Sequence, residues 1–251
     1  MAIVAVFNRQ EGVGKTTTAL NLLAAVARRG ERPLAIDLDP QAHLSTLFGA
    51  RPDRAAASIA AFLAGNAALD DIAQITRSGV VLCPAHAELA GLAASLGKGL
   101  PALARLRQAL RGAHAYAGPV VIDCGSAWNV LTLNAVFACD LLLVPVARDG
   151  RSQDSALAVA RGLDALTPVF KYRLARRYLC TRAALPAHND GPVGAEACAG
   201  LSANEVCTTP IHDDPAIAES RTAGLDIFRH APASIGARDY AALADELRDW
   251  L

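Results

Sequence analysis

The first two dozen residues restrict this chain more than any other stretch. Ala2 to Phe7 form an apolar run of strand length that enters Asn8-Arg-Gln-Glu-Gly-Val-Gly-Lys-Thr-Thr-Thr18, and this loop opens directly on the helical pattern of Ala19-Leu-Asn-Leu-Leu-Ala24. A strand, a glycine-containing loop and a helix in immediate succession bring loop amides and a helix N-terminus to one point, which suits a polyphosphate. In such a loop Lys15 reaches the β- and γ-phosphates and the hydroxyl of Thr16 ligates Mg²⁺.

Downstream, short apolar runs alternate with longer Ala/Leu/Arg segments, the pattern of βαβ units. Strands are expected at 2–7, 33–37, 80–84, 119–123, 140–145, 178–181 and 205–210. Helices are expected at 15–29, 55–75 with a break near Gly65-Asn66, 101–112, 152–166 closed by Pro168, and 236–251. Residues 183–204, rich in Ala, Gly and Pro, show no clear periodicity. The fold class is therefore α/β: a P-loop NTPase-like, mostly parallel sheet with helices on both faces. At 251 residues, with no repeat or long linker, the chain reads as one domain, 1–251.

The hydrophobic fraction of 53% against 19% charged residues supports a large core and excludes intrinsic disorder. A net charge of zero provides no global field to gather nucleic acid. Lys15, Lys98 and Lys171 are the only lysines, so any basic patch has to be built from arginine. The six cysteines are scattered without a C-x-x-C pair, and several lie in apolar runs, as expected of a reduced cytoplasmic chain. No apolar run reaches ~18 residues, and the N-terminal one ends at Asn8, so neither a membrane span nor a signal peptide is expected.

An open parallel sheet binds ligands beyond the carboxyl ends of its strands. Four polar clusters fall there: the phosphate loop, Asp37 with Asp39, Asp123, and residues 145–153. Asp123 closes Val120-Val-Ile-Asp123 in the form of a Walker B aspartate, which serves Mg²⁺ or its bound water. The plainer role for such a carboxylate is to cap the following turn.

The usual P-loop spacing, G-x-x-x-x-G-K-S/T, would put its first glycine where this chain has Arg9. The stretch resembles instead the deviant loop of the ParA/MinD family of partitioning ATPases, K-G-G-x-G-K-S/T, with Gly12, Gly14, Lys15, Thr16 and Thr17 in place. Asp37-Leu-Asp-Pro-Gln41 resembles the family's D-x-D-P-Q motif, and Asp123-Cys-Gly-Ser126 its D-C-P-P segment without either proline. Similarity continues at Leu131–Pro145 and in the C-terminal Thr209-Pro210, Ala218-Glu-Ser and Arg238–Glu246 stretches, and is weakest at 50–118 and 183–204.

The resemblance implies ATP and Mg²⁺ as cofactors. Glu11, Gly12, Val13, Gly14, Lys15, Thr16 and Thr17 would form the nucleotide cradle, and Thr181 and Pro210 would border the adenine. Thr16, Asp37 and Asp123 would serve the metal. Lys15 and Asp39 would be catalytic, Asp39 by orienting the attacking water.

Two residues depart from the family pattern. Gln10 stands where the family has its signature lysine, which reaches a partner's phosphates across a nucleotide-sandwich dimer, and Glu11 stands where it has a glycine. Slow hydrolysis, a replacement cation (Arg9, Arg148 or Arg151) and a degenerate site are the three accounts. Lys171, Arg173, Arg176, Arg177 and Arg182, with Arg221, Arg229 and Arg238, could form a patch that neutralises DNA phosphates without reading sequence.

The C-terminal segment carries Asp245, Glu246 and Asp249 against Arg248, which anionic lipid would repel, so no stable membrane association is expected. This favours the ParA-like branch. It implies an ATPase whose ATP-bound homodimer binds DNA non-specifically, associates with the nucleoid, and is stimulated by a ParB-like or cargo adaptor protein. The alternatives are a nucleotide-binding scaffold with little turnover and a MinD-like membrane-associated regulator.

Overall fold

The computed structural model describes residues 2–50, 55–96, 99–112, 118–170, 174–184 and 198–251. Eight strands form one sheet: β1 (Ile3–Val6), β2 (Leu34–Asp37), β3 (Gln74–Ile75), β4 (Val81–Cys83), β5 (Val120–Asp123), β6 (Leu141–Ala147), β7 (Ala175–Ala183) and β8 (Ile211–His212). Their order is β3-β4-β2-β5-β1-β6-β7-β8. Every pairing is parallel except β3 with β4, at the edge.

The apolar runs are continuous rather than alternating because the sheet is covered on both faces. Ile3, Ala5 and Phe7 point into one hydrophobic layer, against the helices Ile59–Ala64, Arg105–Gly112, Val130–Ala138 and Gly150–Phe170. Val4 and Val6 point into the other, against Lys15–Arg28, Ile227–His230 and Ile235–Glu246. One strand thus serves two cores by the period-two geometry of its side chains.

β1 lies at the centre, with β5 and β2 on one side and β6, β7 and β8 on the other. Its loop therefore emerges where the chain diverges in two directions, the crevice in which open α/β sheets hold ligands. In register, Val6 pairs with Asp123 and Asp123 with Asp37, so three strand ends lie side by side.

Some expected elements take a different form. The 55–75 segment is a set of short helices broken at the left-handed Gly65, and Gln74–Ile75 joins the sheet edge. The 101–112 helix is interrupted at Ala104. The helix expected to stop before Pro168 runs through it and ends two residues later, at Phe170; the proline gives up one N–H···O bond to the carbonyl four residues back. No strand forms at 205–210. There the Thr208 and Thr209 amides donate to the Glu246 carboxylate, and Pro210 has no amide, so only isolated bridging at Val206 survives before β8. The last helix ends at Glu246 and a single 3₁₀ turn follows. Most of the aperiodic 183–204 segment, with Lys98, Lys171 and Arg173, lies outside the described residues.

Candidate nucleotide-binding site

The phosphate loop is held open by its own backbone. Gly12 and Gly14 have φ of +75° and +92°, the left-handed region that favours glycine, and Gly14 immediately precedes the Lys15–Arg28 helix. Lys15 is buried, and its Nζ donates to the Gln10 carbonyl at 2.8 Å. Burial lowers its pKa, opposed by the negative charges of Asp123 and Asp39. A lysine parked on loop backbone and partly stripped of water is poised to exchange that carbonyl for a phosphate oxygen.

Residues far along the chain fix the loop from outside. Asn8, fully buried, donates to the Pro145 carbonyl at 2.7 Å and accepts from the Gln10 amide at 3.0 Å and the Ser155 hydroxyl at 2.5 Å. At the end of β7, Thr181 Oγ1 donates to the Val13 carbonyl at 3.0 Å, and Arg182 Nη2 to the Gly12 carbonyl at 2.9 Å. Arg182 itself has a φ of +53°, uncommon for a residue with a side chain. Thr181 thus contacts the loop, and the expected base-side residue Pro210 is half-buried beside β8.

The carboxylates divide into one that is fully occupied and one that is not. Asp37 is buried and accepts from the Ser45 amide (2.9 Å), the Ser45 hydroxyl (2.7 Å) and the Asp39 amide (3.0 Å). Burial still pushes its carboxyl up to about 6 against the pull of these bonds. Asp37 therefore anchors the segment that carries Asp39, and its oxygens are engaged there rather than turned to the loop.

Asp123 is equally buried, yet among the described residues neither of its carboxylate oxygens has a hydrogen-bond partner. Its carboxyl is driven well above the usual range by burial first and by the neighbouring Asp37 second, while Thr16 and Lys15 pull the other way. A capping aspartate would have found an amide. An unpaired buried carboxylate beside a threonine hydroxyl and a lysine is the state expected of a group whose partner is a ligand.

Asp39 Oδ1 accepts the Gln41 amide at 3.0 Å, and a Cβ at Gly125 would stand 3.2 Å from that same oxygen. Glycine at 125, where the resemblance led one to expect proline, lets the segments after β2 and β5 touch. Glu11 is exposed and forms no ion pair with Arg9; it accepts the Ser126 hydroxyl at 3.3 Å, which draws it toward the β5 segment.

A cleft of about 600 Å³ runs over the loop, lined by Glu11, Gly12, Gly14, Lys15, Thr16, Thr17 and Asp39, among others. Val13 faces the core, and Asp37 and Asp123 lie beneath the floor. Arg9, Arg148 and Arg151 are exposed and do not line this cleft, whereas Arg221 does. Arg176 is buried between Asp164 (2.8 Å) and Glu205 (2.9 Å), which removes it from any surface patch. Asn8 and Ser45 are site residues that sequence reasoning assigned no role, while Ser126 was read only as part of the segment after β5 and Arg221 only as part of a basic surface. Asn8 had a visible signal, a polar residue between an apolar strand and a phosphate loop.

The donor set fits Mg²⁺: a threonine hydroxyl and an unpaired carboxylate are hard oxygen ligands. Among the described residues no group of three or more His, Cys, Asp or Glu side chains is arranged to hold a metal.

Strand order, loop and acidic strand ends together define a P-loop NTPase-like, nucleotide-binding fold. A family model described as an AAA domain matches residues 1–171. The chromosome-partitioning ATPase Soj of Thermus thermophilus is 34% identical over 97% of this chain and 94% of its own length. The chromosome partitioning protein ParA of Caulobacter vibrioides is 41% identical over 58% of this chain, and the match spans little more than half, 56%, of that protein. Among solved structures, cobyrinic acid a,c-diamide synthase from Mycobacterium smegmatis, with a bound ATP analogue and magnesium, superposes with a TM-score of 0.80 at 26% identity, over 100% of this chain and 96% of that one. The chain belongs to the ParA/MinD family.

Proposed function

We propose that the protein is a ParA-like ATPase that binds Mg²⁺-ATP, dimerises in the ATP state, binds DNA non-specifically and so positions a plasmid, chromosome or protein cargo. The observation that carries the nucleotide part is Asp123: a buried carboxylate with two unpaired oxygens, in register with Val6 and Asp37 and next to Thr16 and Lys15. The partitioning names of the Soj and ParA relatives support the cargo part.

In this reading the Gly12–Thr17 amides receive the phosphates and Lys15 leaves the Gln10 carbonyl for them. Thr16 and Asp123 would hold Mg²⁺. When bound, the ion would offset the negative charge that develops in phosphoryl transfer. Asp39, fixed by the Gln41 amide and by Asp37 beneath it, orients the attacking water. Thr181 and Pro210 border the base.

Gln10 offers no charge to a facing protomer, so turnover is slow without a stimulating ParB-like or adaptor protein. Among the described residues no helix is long and apolar enough to cross a membrane. The acidic C-terminal helix would be repelled by anionic lipid, which weighs against the membrane-associated alternative.

Steady-state ATP hydrolysis by the wild type and by Asp39→Ala, with and without duplex DNA, tests the reading. Low wild-type turnover that Asp39→Ala abolishes, with labelled ATP still bound, is expected. Absence of ATP binding by the wild type would exclude both the enzyme and a nucleotide-driven switch.

A further inference from the structure

We infer that Arg221 is a binding residue for the terminal phosphate, supplied from within the same chain, and that it restores the positive charge lost at Gln10 and Glu11. The inference rests on the nucleotide reading and extends it to a residue that no motif includes.

The first observation is position. Arg221 lines the cleft together with Lys15, Thr16 and Thr17 from the loop and with Gln41 and His43 from the segment after Asp39. Thr181 and Pro210, on the β7–β8 side, do not line it. A nucleotide laid across β1 with its base toward β7 and β8 directs its terminal phosphate toward β5 and β2, and the cleft that Arg221 lines includes Gly125 and Ser126 after β5 and Asp39 and Gln41 after β2. Arg221 follows β8 in sequence, yet it lines this cleft.

The second observation is that the placement is built. Arg221 occupies the last turn of the Pro215–Thr222 helix. The start of this helix is fixed by Asp214, which caps it through Ala216 N (3.0 Å) and also accepts the Gly236 amide at 2.8 Å. The helix packs so closely on the C-terminal one that a Cβ at Gly236 would come within 2.7 Å of Ile217. Just beyond Arg221, the Ile227 amide donates at 2.8 Å to Asn21 of the phosphate-binding helix. The positive charge of Arg221 is also felt at Tyr240, a buried residue beside Thr18 and Asn21.

The third observation is charge. Glu11 and Asp39 line the cleft and Asp123 lies beneath it, with Lys15 as the loop's own cation. Arg221 is exposed and has no carboxylate partner among the described residues. An arginine fork unclaimed by carboxylate, held on a fixed helix above such a site, matches phosphate geometry.

Phosphate on DNA offers the same chemistry, so the test separates the two sources. Affinities for fluorescent ADP and fluorescent ATPγS, both with Mg²⁺, are measured for wild type, Arg221→Ala and Arg221→Lys, beside binding of a labelled duplex DNA. Arg221→Ala should weaken ATPγS by about tenfold or more, some 1.4 kcal/mol, and leave ADP within about threefold. Arg221→Lys should recover part of the loss, and it decides the matter if the alanine chain melts at a lower temperature.

Equal losses for ADP and ATPγS, no loss for either, or a loss confined to DNA would each overturn the assignment. A wild type that binds neither nucleotide would overturn the underlying reading as well. A wild type that binds both while Arg221→Ala is unchanged would overturn this inference alone.

Discussion

Replacing Asp123 by asparagine keeps the side-chain shape and removes the buried ionisable group. Among the described residues neither carboxylate oxygen has a hydrogen-bond partner, and burial and Asp37 hold the carboxyl well above its usual range. A group raised in the folded state binds more protons folded than unfolded, so its contribution to stability falls as pH rises from the unfolded pKa through the folded one. Asp37 obeys the same sign. Held at about 6 instead of 3.8, it alone accounts for about 3 kcal/mol lost as pH rises across that interval.

Asp123→Asn should therefore stabilise the nucleotide-free chain at pH 8 by about 1–3 kcal/mol, the penalty of an unsatisfied buried polar group. The advantage should shrink toward pH 5, and denaturant unfolding at the two pH values measures it. In the same variant the rise in melting temperature on adding Mg²⁺-ADP should largely vanish. A variant less stable than wild type at pH 8, or an advantage independent of pH, would refute the claim that this carboxylate waits for a ligand.

Other substitutions probe the frame around it. Ser45→Ala removes a hydroxyl that donates to Asp37 and accepts the Ala85 amide, and should cost about 2–3 kcal/mol in denaturant unfolding. Gly125→Ala puts a Cβ 3.2 Å from Asp39 Oδ1 and should slow hydrolysis about tenfold with nucleotide affinity within about twofold, read from kcat and from labelled-nucleotide titration. Glu246→Ala frees the Thr208 and Thr209 amides that hold the segment before Pro210, and stopped-flow should show nucleotide leaving several-fold faster. In the wild type those amide bonds outweigh burial and hold the Glu246 carboxyl below its usual range, so its support for this segment persists at neutral pH and fades only as pH falls through that lowered value.

The central sheet was legible because β2 and β5 are short apolar runs ended by an aspartate, and because β1 passes straight into the glycine loop. The same pattern placed Asp37 and Asp123 at strand ends. It could not distinguish them: one is enclosed by Ser45, a contact set by the path of the next helix, while the other is left bare. Periodicity also misjudged Pro168, which the helix passes two residues before its end, and 205–210, whose amides at Thr208 and Thr209 are taken by a glutamate 38 and 37 residues away. Arg182 and Arg221 read as candidates for a basic surface. Their reach to the phosphate loop and cleft depends on long-range packing that spacing does not encode.

The most direct test of the whole account is the mass of Asp39→Ala in solution by size-exclusion chromatography with light scattering, with Mg²⁺ and either ATP or ADP. The account predicts a dimer with ATP, a monomer with ADP, and a return to monomer when Mg²⁺ is chelated. One mass under all three conditions, with labelled ATP demonstrably bound, would contradict it.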